Sequence, residues 1–274
     1  MTTPRLSALR IYPVKSLRAV RMQEAVVEPW GLAGDRRWML VDAGTDSAVT
    51  QREQPRLTLL AALPVGGGGL RLTGPGQPPL DVAPPTAGRL RRVRLFTGKF
   101  DVLPAGDRAD AWFSRFLGTP VRLVHLDDPA VRRPLDPDHA APGETVSLAD
   151  GFPLLVTTTA SLDALNALIA AGDRAEEGPL PMDRFRPNLV VDGTSPWAED
   201  DWRRVRIGEV SFRVPKPCAR CVVTTTDQSS GARGKEPLRT LARHRRIGSG
   251  LVFGQNLVPE RSGTLRTGDP FTVE

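Results

Sequence analysis

Residues 214–227 read Val214-Pro-Lys-Pro-Cys218-Ala-Arg-Cys221-Val-Val-Thr-Thr-Thr-Asp227. A Cys-x-x-Cys pair of the thioredoxin type opens a helix, whose N-terminus lowers the thiol pKa. Here the pair instead precedes a β-branched run that resists helix formation, which predicts a strand over 221–226. A zinc site would need two more ligands, yet these are the only cysteines, and His125, His139 and His244 lack ligand spacing. The remaining readings are a single soft thiolate ligand for a metal cofactor and two ordinary half-buried thiols at a turn. Arg220 and Lys216 lie close in sequence and would favour a thiolate electrostatically.

Outward from this segment the same short β-like pattern recurs. Residues 6–12, 37–41, 57–63, 70–72, 90–96 and 121–125 read as strands in the first half, separated by Gly, Pro and Asp clusters. Residues 153–156, 188–191, 205–207, 210–214, 251–253 and a segment near Phe271 do so in the second half. The Gly66–Gly69 run reads as a hairpin loop. Helices are predicted at 107–117, with Asp107 as N-cap and Gly118 as stop, at 160–171, and from Pro237. Residues 126–150 form a polar, Pro-rich stretch that includes Arg132-Arg133-Pro134, and a loop of that length suggests a domain boundary near its start. The expected fold is therefore α+β and predominantly β, with domains at 1–125 and 126–274.

The chain has 274 residues, 26 glycines and 26 prolines, which suits many turns between short elements. No apolar run approaches the ~20 residues of a membrane-spanning helix. With no signal peptide and no disulfide framework, the expected location is cytoplasmic. The formal charge of +6 admits nucleic acid, a membrane surface or a phosphorylated cofactor as partner. Interleaved acidic residues and a single tyrosine argue against a nucleic-acid stacking platform.

Nine segments in chain order carry a resemblance. They are 11–16 (IYPVKS), 34–38 (GDRRW), 51–57 (QREQPRL), 185–188 (FRPN), 198–202 (AEDDW), 217–227 (PCARCVVTTTD), 235–238 (KEPL), 253–255 (FGQ) and 268–270 (GDP). Together they resemble the MOSC-domain proteins of the two-part kind, typified by amidoxime-reducing components and their bacterial relatives. That resemblance implies an N-terminal β-barrel-like domain, a MOSC β-barrel with a few covering helices, and a molybdenum–molybdopterin cofactor between them. It implies Cys221 as the metal ligand, and Lys15, Ser16, Arg36, Arg186, Asn188 and Arg220 facing the cofactor. Arg side chains would read phosphate oxygens through bidentate bonds, with Lys as a mobile point charge. Arg37 competes with Arg36 for that place, and Arg36 could instead pair with Asp35. Asp150 is a candidate proton donor.

Ala219, Asn256 and Gly151-Phe152 depart from the pattern where hydroxyl-bearing residues are familiar, which puts the cofactor's peripheral hydrogen bonds in question. The reaction so implied is N–OH to N–H plus water on a small N-hydroxylated or N-oxide substrate. Cofactor or sulfur transfer without turnover is the alternative. With no cysteines left for an iron–sulfur cluster, electrons would come from a separate ferredoxin- or cytochrome-type donor and its reductase. The basic runs 89–94 and 243–246 are expected at the surface, where an acidic redox partner could dock.

Overall fold

The computed structural model describes residues 3–132 and 138–274, so Arg133 and Pro134 of the long loop lie outside the described residues. As expected, the fold is α+β and mostly strand. Its largest sheet has ten strands. The first strand, Arg5–Ile11, lies between Val20–Met22 and Leu189–Asp192. Leu154–Thr158 runs parallel to Leu189–Asp192, and helix Thr159–Ala170 starts directly after it. That is the crossover a parallel pair needs. The long strand Gly250–Pro259 follows, and the Cys-bearing strand Pro217–Ala219 pairs onto it.

A separate five-stranded sheet runs through Arg91–Leu95, Gly98–Pro104, Val121–His125, Trp38–Asp42 and Ala48–Val49. Helix Asp107–Leu117 packs Trp112, Phe113, Phe116 and Leu117 into the adjoining core with Trp38 and Leu40. Hydrogen bonding crosses the expected 125/126 division at both ends of the chain. Arg5–Ile11 belongs to the sheet of the second half, and Glu24–Glu28 pairs with Gly263–Arg266. The cleft described below forms where these elements meet. Among the described residues no helix is long and apolar enough to cross a membrane.

Several local expectations change. Residues 57–63 are not one strand: a 3-10 turn at Pro55–Leu59 precedes the strand Ala61–Val65. Gly106 is the N-cap of the first helix, and Asp107 sits in its first turn, where a carboxylate favours the dipole. The run after Cys221 is a 3-10 turn, Val222–Thr225, rather than a strand. Its threonines explain the difference. Thr224 Oγ1 donates to the Cys221 carbonyl and Thr225 Oγ1 to that of Val222, both at 2.9 Å. Such local bonds offer the backbone an alternative to a sheet ladder.

The Phe-Gly-Gln segment shows why one glycine is needed. Gly254 has φ +77°, and a Cβ there would lie 2.6 Å from the Val156 carbonyl oxygen. Phe253 beside it is fully buried and stacks on Phe185, ring centroids 4.0 Å apart. Phe185 immediately precedes Arg186, so this stack anchors one wall of the cleft. Phe253→Ala should cost about 3–5 kcal/mol of folding stability. Urea denaturation measures this, and a loss below about 1 kcal/mol would show that the stack is not an anchor.

Candidate functional site: a polybasic cleft at the cysteine turn

The turn after the first strand carries Lys15 and Ser16, both buried, with Ser16 at φ 72°. Lys15 Nζ donates to the Leu148 carbonyl at 2.9 Å and to the Asp150 carboxylate. The Ser16 carbonyl accepts from Gln51 Nε2 at 2.6 Å. Gln51 and Gln228 exchange amide bonds at 3.2 Å in each direction, and Gln228 Oε1 also accepts from Arg186. A buried relay of side-chain amides therefore connects the N-terminal turn to the second half of the chain.

Arg36 has φ 48° and Arg186 φ 55°, so three of the candidate residues occupy the left-handed region that side chains rarely adopt. Backbone strain of this kind collects where function over-determines geometry. The guanidinium carbons of Arg36 and Arg186 lie 4.4 and 4.3 Å from the Tyr12 ring centroid. Arg36 does pair with Asp35, but not as the surface ion pair that was the alternative: Asp35 is buried and Arg36 partly so, and Arg36 Nη1 also donates to Asn188 Oδ1 at 3.1 Å. Arg37 turns away, donating to the carbonyls of Leu126 and Asp127. Asn188 is 1 % exposed, and its side chain ties the Arg10 carbonyl to the Leu155 amide. Burial pushes the Arg186 guanidinium down to about 10, with Arg36 adding to the effect and Tyr12 opposing it.

All eight residues singled out in the sequence line one cleft of about 190 Å³: Lys15, Ser16, Arg36, Asp150, Arg186, Asn188, Arg220 and Cys221. Cys218, Ala219, Gly151, Phe152 and Asn256 line it too. Both thiols are free and partly buried. The cation next to Cys221 in sequence is not its partner in space. Arg220 Nη1 contacts Cys218 Sγ at 2.9 Å, and Nη2 donates to the Phe185 carbonyl. The guanidinium facing Cys221 belongs to Arg52, whose charge is favoured by Asp150 and by the Cys221 side chain against burial.

Arg52 also lies 4.9 Å from the ring centroid of Phe96, at the tip of the hairpin joining Arg91–Leu95 to Gly98–Pro104. Sequence reasoning singled out neither Arg52, Tyr12 nor Phe96. The first two stand inside matched segments, which was the available signal; Phe96 had none.

Asp150, the candidate proton donor, sits between two cations. Desolvation disfavours its charge although the side chain is 56 % exposed, but Lys15 and then Arg52 outweigh that and hold the carboxyl far below the ordinary range. Asn256 is also committed, donating to the carbonyls of Lys216 and Pro217 at 3.2 and 3.3 Å. Phe152 carries Lys216 Nζ 5.3 Å from its ring centroid.

The cleft suits an anionic group. Among the described residues that line it, five cations, Lys15, Arg36, Arg52, Arg186 and Arg220, face one carboxylate, Asp150, with Asp35 behind Arg36. Arg220 Nε is buried without a hydrogen-bond partner. Among the described residues no group of three or more His, Cys, Asp or Glu could hold a metal ion. The thiols of Cys218 and Cys221 are the soft donors the cleft offers a metal. The residues present therefore fit a phosphate-bearing metal–pterin group.

A mostly β protein, with a paired-thiol turn set among buried and partly buried cations where its chain ends interweave, is the class that fold and site define. Residues 3–120 match the MOSC N-terminal beta barrel domain and residues 143–272 the MOSC domain, so the chain belongs to the MOSC family. It is 33 % identical to mitochondrial amidoxime-reducing component 1 of Xenopus laevis over 97 % of this chain and 80 % of that protein. The Homo sapiens protein of the same name is 32 % identical over 97 % and 81 %. Molybdenum cofactor sulfurase of Oryza sativa subsp. japonica is 31 % identical over 91 % of this chain but only 32 % of its own length. The name of this last relative refers to the molybdenum cofactor.

Two outcomes follow from the geometry. Gln51→Ala should cost about 1–3 kcal/mol, because it strands the Ser16 carbonyl and half of Gln228. The Gln51→Ala/Gln228→Ala double variant should then lose clearly less than the sum in a double-mutant cycle; additivity would dissolve the relay. The second outcome concerns pH. A depressed folded pKa keeps the Asp150 ion pairs intact above the unfolded value of ~3.9 and releases them only as pH falls well below it. Carboxyl-carbon NMR, with Asp150→Asn for assignment, should show no titration step for Asp150 above about pH 4. A step near neutrality would restore it as a proton donor.

Proposed function

We propose that this protein reduces small N-hydroxylated or N-oxide compounds with a molybdenum–molybdopterin cofactor bound in the cleft. The balance is N–OH plus two electrons and two protons to N–H plus water, and for an N-oxide the same electrons and protons give the amine plus water. What supports the reading is the joint placement of Cys221 and five cations in one cleft, together with the likeness to amidoxime-reducing components along nearly the whole chain. When bound, the cofactor supplies two-electron chemistry and removal of the substrate oxygen.

The chain's own residues do the rest. Cys221 would hold the metal as a thiolate, with the Arg52 guanidinium beside it compensating the charge. Lys15, Arg36, Arg186 and Arg220 would hold the phosphate and pterin, and Ser16 and Asn188 would add hydrogen bonds to its edge. The Asn188 carboxamide oxygen is already taken twice, so only an amide hydrogen is left to offer a ligand. With Asp150 ionised, the protons are best delivered by solvent.

Electrons would come from a separate ferredoxin- or cytochrome-type protein and its reductase. The basic runs expected to receive it are largely exposed, yet partly neutralised within the chain. Arg91 pairs with Asp46, Arg92 with Asp101, Arg243 with Asp173 and Arg245 with Asp200. This lowers the charge available for long-range steering of an acidic donor.

Transfer of cofactor or sulfur without turnover is the second reading, favoured by the likeness to the cofactor sulfurase. Protein expressed with molybdate should contain stoichiometric molybdenum and reduce benzamidoxime with a chemical reductant. Cys221→Ser should abolish that activity and perturb the metal's spectrum, whereas Cys218→Ser should keep most of it. Equal loss in both would point to a redox dithiol, and metal without turnover to the transfer reading.

A further inference from the structure

Arg186, which lines the cleft, also faces away from it beside Tyr12. On that side lies a larger cavity of about 500 Å³, whose lining includes Arg10, Arg18, Arg21 and Arg186 with one carboxylate, Asp183. This volume falls within the usual range for small-molecule sites. Leu9 and Ile11 turn into the core, so strand alternation places Arg10 and Tyr12 on the opposite face.

Arg10 and Arg21 are registered directly opposite each other across the antiparallel pair. Side chains so placed start ~5 Å apart, and like charges there repel. Arg10 is only 8 % exposed, and its Nη1 is buried without a hydrogen-bond partner. Among the described residues no carboxylate oxygen comes within 4.0 Å of a side-chain nitrogen of Arg10, Arg18, Arg21 or Arg186. Asp183 Oδ1 is likewise buried without a hydrogen-bond partner. A buried cation next to a like charge, with an unfilled donor and no counter-ion, is costly by itself.

We infer that this cavity binds a phosphorylated small molecule, separately from the thiol-bearing cleft. Four guanidiniums exceed what a single carboxylate ligand would balance, whereas a multiply charged phosphate or diphosphate group matches them. Its oxygens accept the planar fork of Arg in pairs, so one group can bridge Arg10 and Arg21 and turn their repulsion into attraction. Arg186 lines both cavities, which makes it the physical link between this ligand and the cleft.

The test is calorimetric titration of inorganic pyrophosphate into the cofactor-loaded protein at low salt. One equivalent should bind saturably. Arg21→Gln and Arg18→Gln alter exposed residues and should each weaken binding about tenfold or more, an effect of about 1.4 kcal/mol. Arg52→Gln, which changes the cleft alone, should leave the affinity unchanged. No saturable binding up to about 10 mM would overturn the inference. So would affinity lost with Arg52→Gln but kept with Arg21→Gln, because the anion would then sit in the cleft. Binding to cofactor-free protein only would assign the cavity to the cofactor's own phosphate and overturn a separate ligand.

Discussion

Gathering five cations into one cleft is the constraint around which the rest of this structure is arranged. Charges taken from water need partners, and too few carboxylates are present to neutralise them one for one. The chain answers with neutral acceptors drawn from distant segments. The carbonyls of Leu148, Phe185 and residue 186 receive Lys15, Arg220 and Arg36, and Gln228 receives Arg186. Among the described residues, Asp35 and Asp150 supply opposite charge. The surplus is a standing preference for an anion, and it is built into the fold before any ligand arrives.

Holding such a cleft open requires that the chain ends be fastened together. The first strand is hydrogen-bonded inside a sheet whose remaining strands come mostly from the second half, so Lys15 is carried directly to the edge of the cysteine turn. Asn188 and the Gln51–Gln228 pair add side-chain bonds across the same junction. Left-handed backbone at Ser16, Arg36 and Arg186 marks where this fastening outweighs local preference. Such positions give a precise cleft at the expense of local relaxation.

The thiols show how tertiary contacts redistribute a sequence pattern. Arg220 touches Cys218, and Cys221 receives Arg52 from another element. The two sulfurs of one motif thus experience different neighbours, which is the physical basis for expecting different roles. Tyr12 performs a similar double duty, with two guanidiniums over its ring and a place in the lining of the larger cavity. Its hydroxyl donates to the Pro187 carbonyl, and burial raises its pKa, so it stays a neutral aromatic surface there.

By itself, the sequence determined the mostly-β class, the positions of most strands and helices, and, through its family resemblance, the membership of the cleft. Those features rest on local patterns: alternation, turn residues, helix stops and ordered motifs. Only the tertiary structure decided that Thr224 and Thr225 curl residues 222–225 into a 3-10 turn, because their hydroxyls prefer carbonyls three residues back. It also decided that Arg52 faces Cys221, that Phe96 overhangs the site, and that Arg10 meets Arg21. These are through-space pairings whose members come from different strands and turns. A one-residue change of register would undo the last of them, and no local propensity encodes register over such distances.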